Sequence, residues 1–489
     1  MEQTTTLKKL KNPKVDQFCY FFMKFCFSIL TCTELYYFSA FLTDTAMFSL
    51  AIIGLIQTAT TVIDTICSFF YGAMMEKIGN LLPWGSTRSW LLVGPPIATI
   101  FFIFMFVRVS ENEMVSAVVI IICFVISHIV WSIGECAMNA LSVLMTDDVN
   151  ERAAMSINLG RGTMGSSLVF GFVAGFFLNT LFKGNPLAYA YMIIIFGILY
   201  WIAFILMFIR SKGCEDDKAT KKAKAERAAK VAALSNRTAS LGMAYKAVFT
   251  SKNAICTMLA ILFGYCWTFL TSGLMFYFFS MCLNSAAMMG TFMSIRGLVT
   301  LLGGVFWVPA LLKICKGSKK KCYLISNVFS AVYMIICFVA LRGNAMFYMV
   351  VALIGGFLGS GATMMQVGLL GDCGVECTYK TGKNMETFTV SFGSLPLKLS
   401  LILRSILITS AIGMTGYVAG VAPTEQVING FYTAYLIWPV ILIVLATIPM
   451  LIYKLPEAKV AEMIKENDRR KSEDAARVEA ALAAMEAKD

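Results

Sequence analysis

The chain has 489 residues, 58% of them hydrophobic and 14% charged, with a mean hydropathy of +0.73 and a formal net charge of +12. That is more apolar surface than one water-soluble core can hide, so lipid is part of its solvent, and the absence of period-2 alternation in the long apolar runs excludes barrel strands. The basic residues lie in tails and alternate loops rather than on a folded soluble face, which argues against nucleic acid and makes them topology signals.

In chain order, the segment MEQTTTLKKLKNPK, with Lys8, Lys9, Lys11 and Lys14, precedes a long apolar stretch that no early small-residue cleavage site closes. It reads as a cytoplasmic tail, 1–15, followed by an uncleaved first span. Stretches able to cross about 30 Å of hydrocarbon fall near 16–43, 48–75, 88–108, 115–146, 153–181 and 187–210. Six more fall near 254–282, 287–312, 322–341, 345–371, 386–417 and 430–453. The expectation is an all-α polytopic membrane protein with twelve transmembrane helices. A six-helix bundle over 16–210 and another over 254–454 are separated by a Lys-, Ala- and Glu-rich linker over 211–253, and a charged tail over 455–489 reads as a solvated helix or a partly disordered segment. Lys and Arg summed over alternate loops place both termini and the linker on one side. Ten basic residues lie between Lys212 and Lys252, and Lys313, Lys316, Lys319, Lys320 and Lys321 add a cluster; the other side holds little beyond Arg108, Lys183 and Arg342. Both termini are therefore expected in the cytoplasm of a cell (plasma or inner) membrane.

Ionised side chains in mid-membrane need partners or a wet cavity. In the second span Gln57, Thr60, Thr61, Asp64 and Ser68 form one helical stripe, and in the fourth His128, Ser132, Glu135 and Asn139 repeat that spacing. The eleventh span offers Ser391, Ser394, Lys398 and Ser405 on one face, with Arg404 nearby, and the first offers Lys24, Ser28, Thr31 and Glu34. Arg161 and Arg296 are further buried candidates. Two carboxylates, Asp64 and Glu135, facing an intramembrane lysine suit cation coupling; the competing reading is ion pairs that hold helices together, and for Lys24, His128, Arg296 and Arg404 both readings stay open. His128 is the only histidine, a proton relay or a neutral interhelical hydrogen bond, and ranks below the carboxylates. The fifteen cysteines are scattered without paired spacing, no metal-ligand set is visible and no phosphate-binding GxxxxGK[ST] loop occurs, so no cofactor, structural metal or direct use of ATP is expected.

Six spans, a cytoplasmic linker and six more spans is the plan of the major facilitator fold, with two halves about a central cavity. Local motifs sharpen this. YYFSAFLTD (36–44), VIDTICS (62–68), PWGSTRSW (83–90), MTDDVNERAAM (145–155) and GDCGVECTYKTGK (371–383), the last retaining Asp372, Tyr379, Lys380 and Lys383, follow one another in the order of the glycoside–pentoside–hexuronide:cation symporter family, typified by melibiose permease, which this chain resembles along most of its length.

The resemblance implies a cation site at Asp64, with Lys398, twelve residues after Glu386, beside it. It places Glu135 on a carboxylate shared by cation and sugar, Ser132 on a neighbouring hydroxyl, and Arg161, one residue out of register, on a sugar-binding arginine. The departures are Ser68 for a second cation-site aspartate, Ser28 for a sugar-binding aspartate, and Asn139 and Thr363 for two sugar-stacking tryptophans; Glu34 is an acid the family pattern lacks. The expected function is alternating-access symport of a sugar- or glycoside-like small molecule with H⁺ favoured over Na⁺, since Ser68 removes one anionic ligand. The cation-coupling set is Asp64, Glu135, Lys398, Ser132 and Ser68. The substrate-binding set is Glu34, Ser28, Glu135, Asn139, Arg161 and Thr363. An amphipathic, steroid- or lysolipid-like substrate is the alternative, and a membrane enzyme or a non-transporting sensor comes last. A monomer is expected, with the lipid bilayer and a small-molecule substrate as its partners.

Overall fold

The computed structural model describes residues 9–486 except 69, 80, 147, 216–230, 232, 233, 238, 239, 341–343 and 419. Lys8, the middle of the expected linker, Arg342 and the Ser391 side chain lie outside the described residues. The described chain is helical, without strands. In order the helices are α1 Pro13–Ala40, α2 Leu50–Ser68, α3 Tyr71–Gly79, α4 Arg88–Met105, α5 Glu113–Met145, α6 Val149–Phe176 and α7 Ala188–Arg210. A short α8, Leu241–Thr250, leads into α9 Lys252–Tyr277, α10 Ala286–Leu302, α11 Val308–Ile314, α12 Lys319–Ala340, α13 Ala345–Gly359, α14 Gly361–Thr381, α15 Glu386–Phe392, α16 Ser394–Thr415, α17 Glu425–Ile452 and α18 Glu457–Glu486.

Short polar side chains set many of the starts. Asn12, Asn112, Ser240, Ser251, Asn344 and Thr424 each accept a hydrogen bond from a first-turn backbone N–H, and Pro13 follows Asn12 where no N–H is needed. Gly382 and Gly416, with φ of 68° and 69°, end α14 and α16 in the left-handed region that glycine adopts without strain. Wider π turns, Phe41–Thr45 and Phe278–Cys282, extend α1 and α9, the first span of each six.

Eleven of the described helices are long and apolar enough to cross a membrane. The run from α6 through its π turn to Leu181, loaded with Glu151, Arg152, Asn158 and Arg161 in its first half, completes the twelve. Three spans are jointed where the sequence reads as continuous. The second divides between α2 and α3, the tenth between α13 and α14 at Ser360, and the eleventh between α15 and α16 at Gly393. The tenth also runs to Thr381, a helical turn and more beyond its expected end. The C-terminal segment is helical throughout α18.

Packing follows two equivalent sixes. Across them α1 meets α9, α2 meets α16 and α6 meets α10, which are spans one with seven, two with eleven and five with eight. Adding six to each span number carries the first contact onto itself and the second onto the third, as two repeated halves require. Described hydrogen bonds between the halves include Thr43 with Tyr277 (2.7 Å), Tyr417 to Asp44, Thr409 to Gln57 (3.4 Å), Arg404 to the Leu35 carbonyl (2.9 Å), Tyr36 with Ser272, Thr61 with Ser405 (3.1 Å) and Lys398 to Asp64 (2.5 Å). They run from the distal end, which carries the turn after α1, to mid-height. Gly171 on α6 and Gly290 on α10 add a backbone contact near that distal end, so close that a Cβ on either would strike the other's carbonyl oxygen.

Candidate functional site

Asp64, 7% exposed on α2, is where charges from both halves converge. Its Oδ2 accepts from Lys398 Nζ at 2.5 Å and its Oδ1 from the Tyr71 hydroxyl at 2.5 Å. Tyr71 opens α3 just past the joint in the second span, which lets a residue two turns on from Asp64 fold back against it. Ser132, on α5, interacts with the same phenol. His128, one turn away on α5, turns Nδ1 toward Asp64 Oδ1 at 3.9 Å and Nε2 to Glu34 Oε2 at 2.9 Å, its ring stacked on Phe124 at 3.8 Å. The result is an alternating row across three helices of one half and one of the other: Glu34, His128, Asp64, Lys398.

A second pair lies two turns along α5. Lys24 Nζ reaches Glu135 Oε1 at 2.8 Å while its ammonium sits 4.6 Å from the Phe27 ring centre. Because α1 and α5 run antiparallel, the earlier charge on α1 meets the later one on α5, and Glu34 meets His128. On the other half Arg404 is held by the carbonyls of Phe269 (3.1 Å) and Leu35 (2.9 Å), within electrostatic range of Glu34. A cavity of about 170 Å³ opens beside Lys398, lined by Thr65, Ser68, Tyr245, Phe392 and Leu395. Chemically, this is a set of exchangeable charges with no nucleophile–base pair in it, suited to taking up a cation or proton and to changing how the halves hold together.

Residues 19–457 match the family model of MFS/sugar transport proteins. The chain belongs to this family. It is 23% identical over 438 residues to the uncharacterised symporter YjmB of Bacillus subtilis (strain 168), covering 88% of this chain and 90% of that protein. It is 22% identical over 442 residues to a glucuronide carrier protein homolog of Escherichia coli (strain K12), with 88% and 90% covered. Among solved structures, a D-xylose-proton symporter superposes with a TM-score of 0.64 at 14% identity, covering 91% of this chain and 99% of that one, which speaks to the major facilitator fold alone.

As a member of this family the protein is a multi-pass membrane transporter rather than an enzyme, in agreement with the resemblance its motifs carry. Of the cation-coupling set, Asp64, Lys398 and Ser132 come together. Ser68 lines the adjoining cavity, but its hydroxyl donates to the Thr65 carbonyl at 2.6 Å. Glu135 stands with Lys24 instead of Asp64. Of the substrate-binding set, Ser28 meets Thr163 on α6 at 3.5 Å, Arg161 is exposed with Nη1 3.3 Å from Asn158 Oδ1, Asn139 is exposed, and Thr363 is half-buried on α14. Tyr71 was outside the expected set, although its position seven residues after Asp64 puts it on the same helical face.

Proposed function

We propose that this transporter is a symporter of a sugar- or glycoside-like substrate driven by a cation, with H⁺ favoured over Na⁺. It works by alternating access in a cell membrane, as a monomer with both termini in the cytoplasm, the bundles 16–210 and 254–454 rocking about their shared seam. The observation that carries the reading is the bond between Asp64 and Lys398. It joins opposite charges from the two halves and, of the described cross-half hydrogen bonds, lies nearest the end of the bundle that bears the termini.

A proton arriving on Asp64 removes its charge and with it the attraction for Lys398, so protonation and the contact between halves are linked. His128, between Asp64 and Glu34, gives the proton a second base within the same half. A proton needs one oxygen. Sodium needs several, and here one carboxylate oxygen already accepts from an ammonium and the other from a phenol. Substrate would occupy the space toward Glu34, Ser28, Glu135, Asn139, Arg161 and Thr363, and the relative described as a glucuronide carrier homolog supports a sugar as that substrate.

The test is substrate-induced alkalinisation outside proteoliposomes, with a panel of glycosides and of steroid-like and lysolipid compounds at several Na⁺ concentrations. Proton uptake that depends on a sugar and disappears in Asp64→Asn is the expected result. Uptake driven by Na⁺ with no pH response would overturn proton coupling, and uptake confined to the amphipathic compounds would overturn the sugar assignment.

A further inference from the structure

The run YYFSAFLTD (36–44) gives no residue to the site around Asp64, yet its second tyrosine and its final aspartate line a separate cavity. This space, about 410 Å³, opens at the distal end between the halves, with Tyr37 and Asp44 from the first span, Phe182 and Asn185 from the turn after the fifth, Tyr189 from the sixth and Phe276 from the other half. It falls within the range of small-molecule pockets, about 300–1,000 Å³. Four of those six side chains are aromatic, and Asp44 is the one formally charged group among the described lining residues. Asn185 accepts the Leu187 N–H at 2.8 Å through its side-chain carbonyl, which leaves the amide N–H groups to a ligand or to water. A carboxylate accepts from two hydroxyls at once, an amide donates to a third oxygen, and aromatic rings cover the apolar C–H face of a pyranose.

Asp44 also ties the halves together. Its Oδ1 accepts from the Tyr417 hydroxyl of the other half, and the adjacent Thr43 bonds to Tyr277 at 2.7 Å. Both lie on the π turn Phe41–Thr45, and such turns are frequent at functional sites. Tyr417 stands just past Gly416, where α16 ends, so its phenol can turn away without a span moving. Asp44 thus belongs to the cavity and to the tie across the seam at the same time. A ligand hydroxyl that takes the phenol's place replaces one charge-assisted hydrogen bond by another, so the carboxylate is not left unpaired when the halves part.

We infer that this cavity is a second, outer subsite for the sugar, separate from the space toward Glu34 and Glu135, and that a sugar seated in it releases the tie between Asp44 and Tyr417. The inference rests on the sugar-transport reading above and on the topology that puts this end outside. Because the sugar binds better once Tyr417 has left, occupancy shifts the seam toward opening at this end. Substrate from outside thereby prepares its own entry, while substrate from inside does not meet the subsite before crossing.

The sugar that the proteoliposome panel shows to be transported is used with the full-length protein in right-side-out vesicles, where influx and efflux report the outer and inner faces separately. Phe182→Ala and Asn185→Ala remove a ring and an amide from the cavity without altering Asp44 or Tyr417. Each should raise the influx KM at least about threefold and leave the efflux KM within about twofold of wild type. The sugar should also speed alkylation of the native Cys282, buried at this end, by an impermeant maleimide, and the double variant should lose that response. Equal shifts of both KM values, or no shift in either, overturn the outer subsite and leave sugar transport standing. Alkylation that the sugar accelerates equally in the double variant overturns the release of the tie. Choline, a cation that also suits a carboxylate among aromatic rings, should leave the alkylation rate unchanged, and acceleration by choline overturns the sugar assignment of the cavity. If no sugar in the panel is transported, the sugar reading falls and this inference with it.

Discussion

Removing Lys398 should be far more damaging than removing both Lys398 and the charge it answers. The Lys398 ammonium is 2.5 Å from Asp64 Oδ2, with side chains 22% and 7% exposed. Breaking a buried ion pair by deleting one member costs about 3–5 kcal/mol, and the partial exposure of the lysine puts Lys398→Ala at the lower end, about 3 kcal/mol. Asp64→Asn is milder, about 1 kcal/mol on the scale of a lost hydrogen bond, because the ammonium can turn into the adjoining cavity beside Ser68 and Tyr245. The double variant leaves no stranded charge and should lose only about 1–2 kcal/mol, which gives a coupling energy of about 2 kcal/mol or more. Unfolding in mixed detergent micelles at neutral pH, followed by tryptophan fluorescence, measures all four corners of the cycle. If the double variant loses the sum of the two single losses to within about 0.5 kcal/mol, the pair is not coupled and the linkage argument collapses.

Three further outcomes follow from other contacts. His128→Gln should keep a hydrogen bond to Glu34 but lose the titratable ring, cutting pH-gradient-driven uptake at least about tenfold while substrate exchange without a gradient persists; equal loss of both would make the histidine structural. Tyr417→Phe removes the distal bond to Asp44, a change of about 1 kcal/mol that shifts the halves roughly fivefold toward opening at that end. It should be read as faster alkylation of the native Cys282, buried there and located by mass spectrometry. In the tail, the Ser235 hydroxyl, aided by the Asn236 amide, holds the Asp474 carboxyl below the ordinary carboxylate range. A depressed carboxylate contributes docking energy above its unfolded value and loses it only as the pH falls through the lowered one. Docking of α18 should therefore be flat across physiological pH, whereas Asp474→Ala should raise hydrogen exchange over 457–486; unchanged protection would show that Arg470 and Arg477, bonded to the Tyr379 and Leu234 carbonyls, suffice.

Span number and the identity of the faces were legible because lipid imposes them: length fixes the helices, and polar spacing shows which side of each avoids hydrocarbon. Asp64, Lys398 and Ser132 came together because their stripes face the same seam. Partner choice was not legible. Glu135 shares a stripe with His128, yet the antiparallel run of α1 gives Glu135 to Lys24 and His128 to Glu34, and only the axial offset between two helices decides that. Tyr71 was missed for a local reason. The apolar run from 48 to 75 hides the joint between α2 and α3, and without that joint the phenol shares a face with the carboxylate but stands two turns, about 10 Å, along the axis from it.

The contact of Gly171 with Gly290 bears on how fast such a machine can turn over. Two helix backbones that touch glycine to glycine, with only the small Ser294 side chain beside them, have few rotamers to release when they roll over one another, so the seam offers little friction to rotation. Speed would then be limited by charges making and breaking below that bearing, not by the bearing itself, and a single added methyl group at either glycine, striking the other's carbonyl oxygen, would force the two backbones apart.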